Sequence, residues 1–225
     1  ASSVQAVLDQ YPDITVVAGA AALKMLPLYN TDPQHTLAVK EGDVLTLGRH
    51  ELQFIAAPMV HWPEVMMSYD KADKVLFSAD GFGKFGALDA QEDWDCEARR
   101  YYFNIVGKFG PQVQAVLKKA AGLDIQIICP LHGPVLKEDL GHYLEKYQLW
   151  SSYGVESEGV FIAYGSLHGN TAAAARKLKE LLEAKGRPKV VLTDLARDDA
   201  SEALEDAFRY GKIALCAPSY NAGVM

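Results

Sequence analysis

Cysteine is scarce in this sequence of 225 residues: Cys96, Cys129 and Cys216 are odd in number and show no CxxC spacing. That argues against a disulfide framework and a structural zinc knot, and makes a reducing, cytoplasmic compartment the default expectation. Basic charge is also short. Lys and Arg number 22 against 29 Asp and Glu, a formal net charge of −7, and the longest basic stretch is Ala-Lys-Gly-Arg-Pro-Lys at residues 184–189. A nucleic-acid footprint is therefore unsupported, and anionic surfaces are not expected partners. No run of about eighteen apolar residues occurs, so no membrane span is expected. The opening Ala1-Ser2-Ser3-Val4 carries neither an initiator Met nor the basic head and apolar run of a signal peptide. Either processing or a start inside a longer protein accounts for it. What the chain does have is 49% hydrophobic residues, enough for a packed core in one large domain or in one and a half ordinary ones.

Val4, Val7 and Leu8 recur at helical spacing and stop at Tyr11-Pro12, which predicts a helix followed by a buried strand over residues 14–18 and a short helix over 20–28. Short β-like runs at 37–39, 44–47 and 52–55, separated by Gly42-Asp43 and Gly48-Arg49, predict a meander; 65–69 and 74–78 form a further hairpin. Two helices, 94–106 and 111–121, divided by Gly107 and Gly110, precede a short apolar strand at 125–129 and a helix at 138–150. Beyond a polar link at 151–159 the grammar changes to strand 160–164, helix 170–184, strand 189–192, helix 201–210 and strand 213–216. Regular β/α alternation calls for a parallel sheet with right-handed crossovers. We therefore expect a first domain over 1–150, a linker over 151–159 and a second domain over 160–225.

Two loops in the second domain carry chemistry. Gly165-Ser166-Leu167-His168-Gly169-Asn170-Thr171 sits between a strand and a helix, where free backbone N–H groups, hydroxyls and the helix dipole suit a phosphate. It is neither a Walker loop, lacking the Lys, nor GxGxxG, so neutral donors fit a terminal monophosphate. The alternative is a simple helix cap by Asn170 or Thr171. The third strand ends in Pro218-Ser219-Tyr220-Asn221-Ala222-Gly223; carboxyl ends of first and third strands are where doubly wound sheets of this type bind ligands. Tyr220 is either a stacking face or an exposed loop aromatic. In the first domain His61, Asp80 and His132 each lie at or just beyond a predicted strand end. Imidazole with carboxylate suits iron, manganese or zinc, and Asp can bridge two ions. Singly, a hydrogen-bonded histidine or an Asp-Gly turn explains each as well.

The two loops resemble those of the flavodoxin-like domain. That resemblance implies that Ser166, Leu167, His168, Gly169, Asn170 and Thr171 hold the phosphate of FMN, and that Pro218, Ser219, Tyr220, Asn221 and Gly223 border its ring. The order meander, His61, hairpin, Asp80, helical section, strand, His132 is that of the second half of the metallo-β-lactamase-like αββα fold. With His61-Trp62-Pro63-Glu64, Ser78-Ala79-Asp80-Gly81-Phe82-Gly83 and Ile128-Cys129-Pro130-Leu131-His132-Gly133 ahead of the flavin loops, the chain resembles the flavodiiron proteins (A-type flavoproteins) over almost its entire length. The fold expected is α/β: a partial metallo-β-lactamase-like αββα sandwich followed by a partial flavodoxin-like doubly wound parallel sheet.

By that resemblance His61 and His132 are terminal ligands, one to each of two iron ions, and Asp80 bridges them. His35, His50 and His142 match no family ligand, and Cys129 is a buried strand-end thiol. The family's H-x-E-x-D-H motif is absent from the sequence, so the chain reads as clipped at both ends, with half the metal ligands and little activity expected of it alone. The implied function is an oxidoreductase passing electrons from FMN to a non-haem di-iron centre that reduces dioxygen to water or nitric oxide to nitrous oxide. Implied partners are an electron donor such as rubredoxin or a flavin/NAD(P)H reductase and, when complete, a second copy in a head-to-tail homodimer. Two other classes compete: a zinc hydrolase similar to glyoxalase II, and a non-catalytic FMN electron-transfer module.

Overall fold

The computed structural model describes residues 2–89 and 93–224. Helix α1 (Ser2–Gln10) leads into β1 (Thr15–Gly19), α2 (Ala20–Met25) and β2 (His35–Val39). Strands β3 (Val44–Leu47), β4 (His50–Ala56), β5 (Met66–Asp70) and β6 (Val75–Phe77) follow, then α3 (Trp94–Tyr101), α4 (Gly110–Ala120), β7 (Ile127–Cys129) and α5 (Leu140–Ser151). An alternation of β8 (Val160–Tyr164), α6 (Asn170–Ala184), β9 (Val190–Asp194), α7 (Ala200–Arg209) and β10 (Ile213–Cys216) ends in β11 (Ser219–Tyr220) and β12 (Gly223–Val224). No helix among the described residues is long and apolar enough to cross a membrane.

The chain divides into two compact units, the first comprising Ala1–Gly83, Ala87–Asp89 and Pro111–Glu145. Its main sheet has the order β3-β4-β5-β6-β7, with three antiparallel hairpin pairings and a parallel β6–β7 pair. The β3–β4 turn is the two-residue Gly48-Arg49, and Gly48 takes φ +70°, a left-handed conformation that glycine adopts without steric cost. Met67 and Tyr69 alternate onto the buried face of β5, joined by Leu76 and Ile128 of the next strands. The hydroxyl of Tyr69 donates to the Asp124 carbonyl at 2.8 Å, and Lys119 of α4 donates to the Ala56 carbonyl at 2.8 Å. Strands β1 and β2 pair in parallel as a separate two-stranded sheet. The expected buried strand at 14–18 is thus present but half-exposed up to Gly19, because a two-stranded sheet has only edge strands.

The second unit holds Lys84–Gly86, Ala90–Gly110 and Lys146–Met225. Its parallel sheet has the order β10-β8-β9, that is, third, first and second strand of the alternation, as flavodoxin-type doubly wound sheets begin. Val160 and Ile162 of β8 pack with Ala175, Leu178 and Leu182 of α6, while Phe161 and Ala163 pack with Ala203 of α7 and with Tyr210. Covering on both faces explains why β8 is a continuous apolar run. Strand β10 lies at an edge, with Ile213 and Leu215 exposed.

The helical section departs from the two separate helices expected. A π-helical turn, Tyr102–Val106, and a 3₁₀ turn, Gly107–Phe109, carry α3 directly towards α4. Gly107 and Gly110 have ordinary right-handed helical angles and do not break the helix. At Gly110 a Cβ would lie 2.4 Å from the Ser151 carbonyl oxygen, so close packing is the reason for glycine there.

A charged network lies inside this unit. Arg99, 2% exposed at its side chain, pairs with Glu205 and reaches Glu156 at 2.8 Å. Lys146 and the Trp150 indole also donate to Glu156, at 2.8 and 2.7 Å. Burial alone would raise the Glu156 carboxyl, but the bonds from Lys146 and Trp150 and the charge of Arg99 hold it below its ordinary 4.5. Its stabilisation is therefore present in full above pH 4.5 and is lost as pH falls through the lower folded value. Glu205 has the opposite sign, since burial raises its carboxyl against the pull of Arg99. Acid unfolding followed by near-UV circular dichroism is expected to be less steep below pH 4.5 in Glu156→Gln than in the wild type.

Candidate functional site

The topology of the first unit explains why His61, Asp80 and His132 meet. Strands β4 and β6 are each antiparallel to β5, and β7 is parallel to β6, so the loops after β4, β6 and β7 all leave the same edge of the sheet. The loop after β4 closes on itself: Ala57 N donates to Val65 O at 2.9 Å, Met59 N to Trp62 O at 2.7 Å, and Val60 is buried beneath it. Beyond β6 the buried Ser78 hydroxyl donates to Gly81 O at 2.7 Å while Gly81 N returns to Ser78 O at 2.9 Å. Leu131 N donates to Ala79 O at 2.8 Å, tying the His132 loop to the Asp80 loop.

The carboxylate of Asp80, 10% exposed, stands between the two imidazoles. Its Oδ2 lies 3.6 Å from His61 Nε2 and its Oδ1 lies 3.5 Å from His132 Nε2. Both separations exceed ordinary hydrogen-bond lengths. With bonds of about 2.0–2.2 Å, two ligands of one ion sit roughly 3.0–3.4 Å apart, so each pair can close on a metal with a small inward adjustment. One oxygen per histidine is the division a bridging carboxylate requires. Non-glycine residues with left-handed backbone angles gather here, Met59 at φ +65°, Ala79 at +51° and Phe82 at +66°. Such conformations cost on the order of 1–3 kcal/mol each and persist where the surrounding structure enforces them.

In the second unit, the loop from Gly165 to Gly169 opens α6 at the carboxyl edge of β8. Ser166 Oγ accepts from Gly169 N at 3.1 Å and from Ala172 N at 3.3 Å. The N-cap position is Gly169, and the Ser166 hydroxyl supplies the acceptor for the first turn, so the alternative that Asn170 or Thr171 caps the helix is corrected. Among the described residues the N–H groups of Asn170 and Thr171 have no protein acceptor, and no acidic residue occupies the first turn. Those orphan donors at a 15-residue helix fit a monophosphate. Leu167, His168, Gly169 and Asn170 are exposed. The stretch from Pro218 to Gly223, expected as a loop, forms the β11–β12 hairpin around Asn221 and Ala222, both at positive φ; this places Tyr220 with two-thirds of its surface exposed. Gly165 N donates to Cys216 O at 3.0 Å, which joins the loop ahead of α6 to the root of that hairpin.

A sequence model of the ODP family beta lactamase matches residues 1–133, the stretch that contains β1 to β7 and all three metal candidates. The chain belongs to the ODP family.

Solved structures of other proteins share its fold. The rubredoxin oxygen:oxidoreductase of Desulfovibrio gigas superposes with a TM-score of 0.91 at 25% identity, over 99% of this chain and 58% of that one. The flavodiiron protein of Giardia intestinalis gives 0.92 at 26% identity, over 100% and 57%. The anaerobic nitric oxide reductase flavorubredoxin of Aeromonas hydrophila is 32% identical over 83% of this chain and 40% of its own length. The resemblance to flavodiiron proteins and the two-part α/β fold expected from the sequence are borne out. The ODP-family chain spans under half the length of the curated relatives it matches.

Among the described residues of this ODP-family chain, two other groups of possible ligands lie beside arginines. His50 Nδ1 meets Asp70 Oδ2 at 2.6 Å, and Arg49 donates to His50 Nε2 and approaches Asp73. Cys96, Glu202 and Glu205 cluster beside Arg99. His35 is exposed and His142 packs edge-on to Tyr143. Cys129 is half-buried rather than buried, with burial pushing its thiol up; its three-residue strand pairs along its length with β6 and, away from β6, only through a bridge from Ile128 to Leu136. The contribution of Ser166 to two backbone donors was not visible in the sequence, where only its place in a small-residue loop stood out.

Proposed function

We propose that this chain supplies the metal-binding and flavin-binding parts of an oxidoreductase that reduces dioxygen to water or nitric oxide to nitrous oxide. The observation that carries this reading is the Asp80 carboxylate, which offers one oxygen to the side of each of two histidines. His61, Asp80 and His132 would hold the two irons. Ser166, Leu167, His168, Gly169, Asn170 and Thr171 would hold the FMN phosphate, and Pro218, Ser219, Tyr220, Asn221 and Gly223 would border the ring. When bound, the iron pair supplies open positions for a small oxidant and the flavin converts between one- and two-electron transfers. Rubredoxin or a flavin/NAD(P)H reductase is the donor class this reading assigns, with a head-to-tail homodimer in the cytoplasm as its setting.

The protein's own part is positioning. Asp80 would offer one oxygen towards each of two cations and offset part of their mutual repulsion, with His61 and His132 as the outer donors. The neutral loop at α6 takes a dianionic phosphate on N–H groups and a helix dipole without a lysine.

The test combines anaerobic iron titration with flavin titration. Two irons and one FMN per chain support the proposal; zinc binding with thioester hydrolysis and no flavin would replace it with a hydrolase, and flavin without metal with an electron-transfer module. Ser166→Ala is expected to weaken FMN about tenfold, roughly 1.4 kcal/mol, through the loss of one hydroxyl contact and of the loop's shape. Riboflavin, which lacks the phosphate, should bind both forms equally, as read by fluorescence quenching. Equal weakening of the two ligands would remove the phosphate role.

A further inference from the structure

The second unit carries an aromatic arrangement that the proposed function does not use. Trp94 and Trp150 are stacked, with ring centroids 6.1 Å apart and an interplanar angle of 16°. Trp94 is half-exposed, whereas Trp150 is 1% exposed. The Trp150 Nε1–H donates to Glu156 Oε2 at 2.7 Å, and the other oxygen of Glu156 is held by Arg99 and Lys146. Lys146 in turn pairs with Asp95 at 2.7 Å. Around the stack, Glu156, Glu205 and Asp95 face Arg99 and Lys146, three negative charges against two positive ones.

We propose that Trp94, Trp150 and Glu156 form a one-electron redox site. An electron leaves the half-exposed Trp94 for a one-electron oxidant of high potential, of the class of a ruthenium(III) polypyridyl complex, and Trp150 refills Trp94 across the stack. The Trp150 radical cation then releases its Nε1 proton along the existing hydrogen bond to the Glu156 carboxylate. The balance is one electron to the oxidant, one proton to Glu156, and a neutral indolyl radical at Trp150. Three features favour it: the near-parallel indoles lie 6.1 Å apart between centroids, close enough to couple, the net negative surroundings stabilise a cation in a low-dielectric interior, and an ionised acceptor is already in contact with the only proton the indole can give. Tyr102 packs 5.6 Å from Trp150 but does not compete as a radical site, because its buried hydroxyl has no hydrogen-bond acceptor. This site rests on its own geometry and stands whether or not the proposed oxygen or nitric oxide chemistry does.

Flash-quench oxidation with tris(bipyridyl)ruthenium and a soluble ruthenium(III) ammine quencher, followed by transient absorption and electron paramagnetic resonance, tests it. Trp62 is exposed, so all measurements use a Trp62→Phe background. A neutral tryptophanyl radical is expected, formed about tenfold more slowly in Trp94→Phe and replaced in Trp150→Phe by a radical confined to Trp94, of altered spectrum and lifetime. Glu156→Gln keeps a hydrogen-bond acceptor for the indole and removes the base, so the radical should persist there as the protonated cation. A radical of unchanged spectrum and lifetime in both Trp150→Phe and Glu156→Gln, or no radical at all, would overturn the proposal.

Discussion

Asp80→Ala is expected to abolish binding of two metal ions at once, while His61→Ala and His132→Ala should each weaken one site and spare the other. The asymmetry follows from geometry. The two carboxylate oxygens face different histidines, at 3.6 and 3.5 Å, so one side chain would serve both proposed metal positions and each imidazole only one. Loss of an outer partner of a ligand already costs about 10–100-fold in metal affinity, so removing a ligand itself should cost at least about 100-fold. Asp80→Asn, which keeps the shape but offers a single oxygen, should hold one ion at most. Calorimetric titration with ferrous or manganous ion gives the stoichiometry directly. Retention of one tight ion in Asp80→Ala would show that the carboxylate does not bridge. Gly81 reinforces the point: a Cβ there would lie 3.0 Å from the Ser78 carbonyl oxygen and 3.1 Å from the Met67 methyl, so the turn that aims Asp80 tolerates little change.

The residues of this site were legible in the sequence because each stands where an apolar run ends, and a sheet of hairpins returns such ends to one edge. The second unit was equally legible at α6 and β10, which span 170–184 and 213–216 as the pattern predicts; local periodicity and glycines at the turns define both. What the sequence did not reveal is long-range or conformational. Nothing local marks Arg99 as the partner of Glu205, 106 positions away, since an Arg in an amphipathic helix reads as a solvated face. The sequence predicts helices over 94–106 and 111–121 divided at Gly107 and Gly110, because glycine has low helix propensity, whereas a 3₁₀ turn over Gly107–Phe109 carries the chain on and close packing explains Gly110. The β11–β12 hairpin needs Asn221 and Ala222 at positive φ, and alanine gives no warning of that conformation.

The second large effect is expected at Arg99. Arg99→Met should destabilise the second unit by about 3–5 kcal/mol, because it leaves Glu205 buried without a cation and takes one of two cations from Glu156. Burial opposes charge on the guanidinium, but the bonds from Glu205 and Glu156 raise its pKa above the ordinary value, so the arginine is charged and its removal uncovers two carboxylates. Glu205, 3% exposed at its side chain, has then to take up a proton or draw water into the core. The double variant Arg99→Met/Glu205→Leu should recover most of the loss. It removes both buried charges together, and Glu156 keeps Lys146 and Trp150 at 2.8 and 2.7 Å. Urea unfolding of the four members of this cycle, followed by tryptophan fluorescence from Trp94 and Trp150, measures the coupling. A loss below about 1 kcal/mol in Arg99→Met would mean that water already reaches the pair and that it behaves as a surface bridge. A double variant as unstable as the single would instead assign the arginine's contribution to the packing of its aliphatic stem.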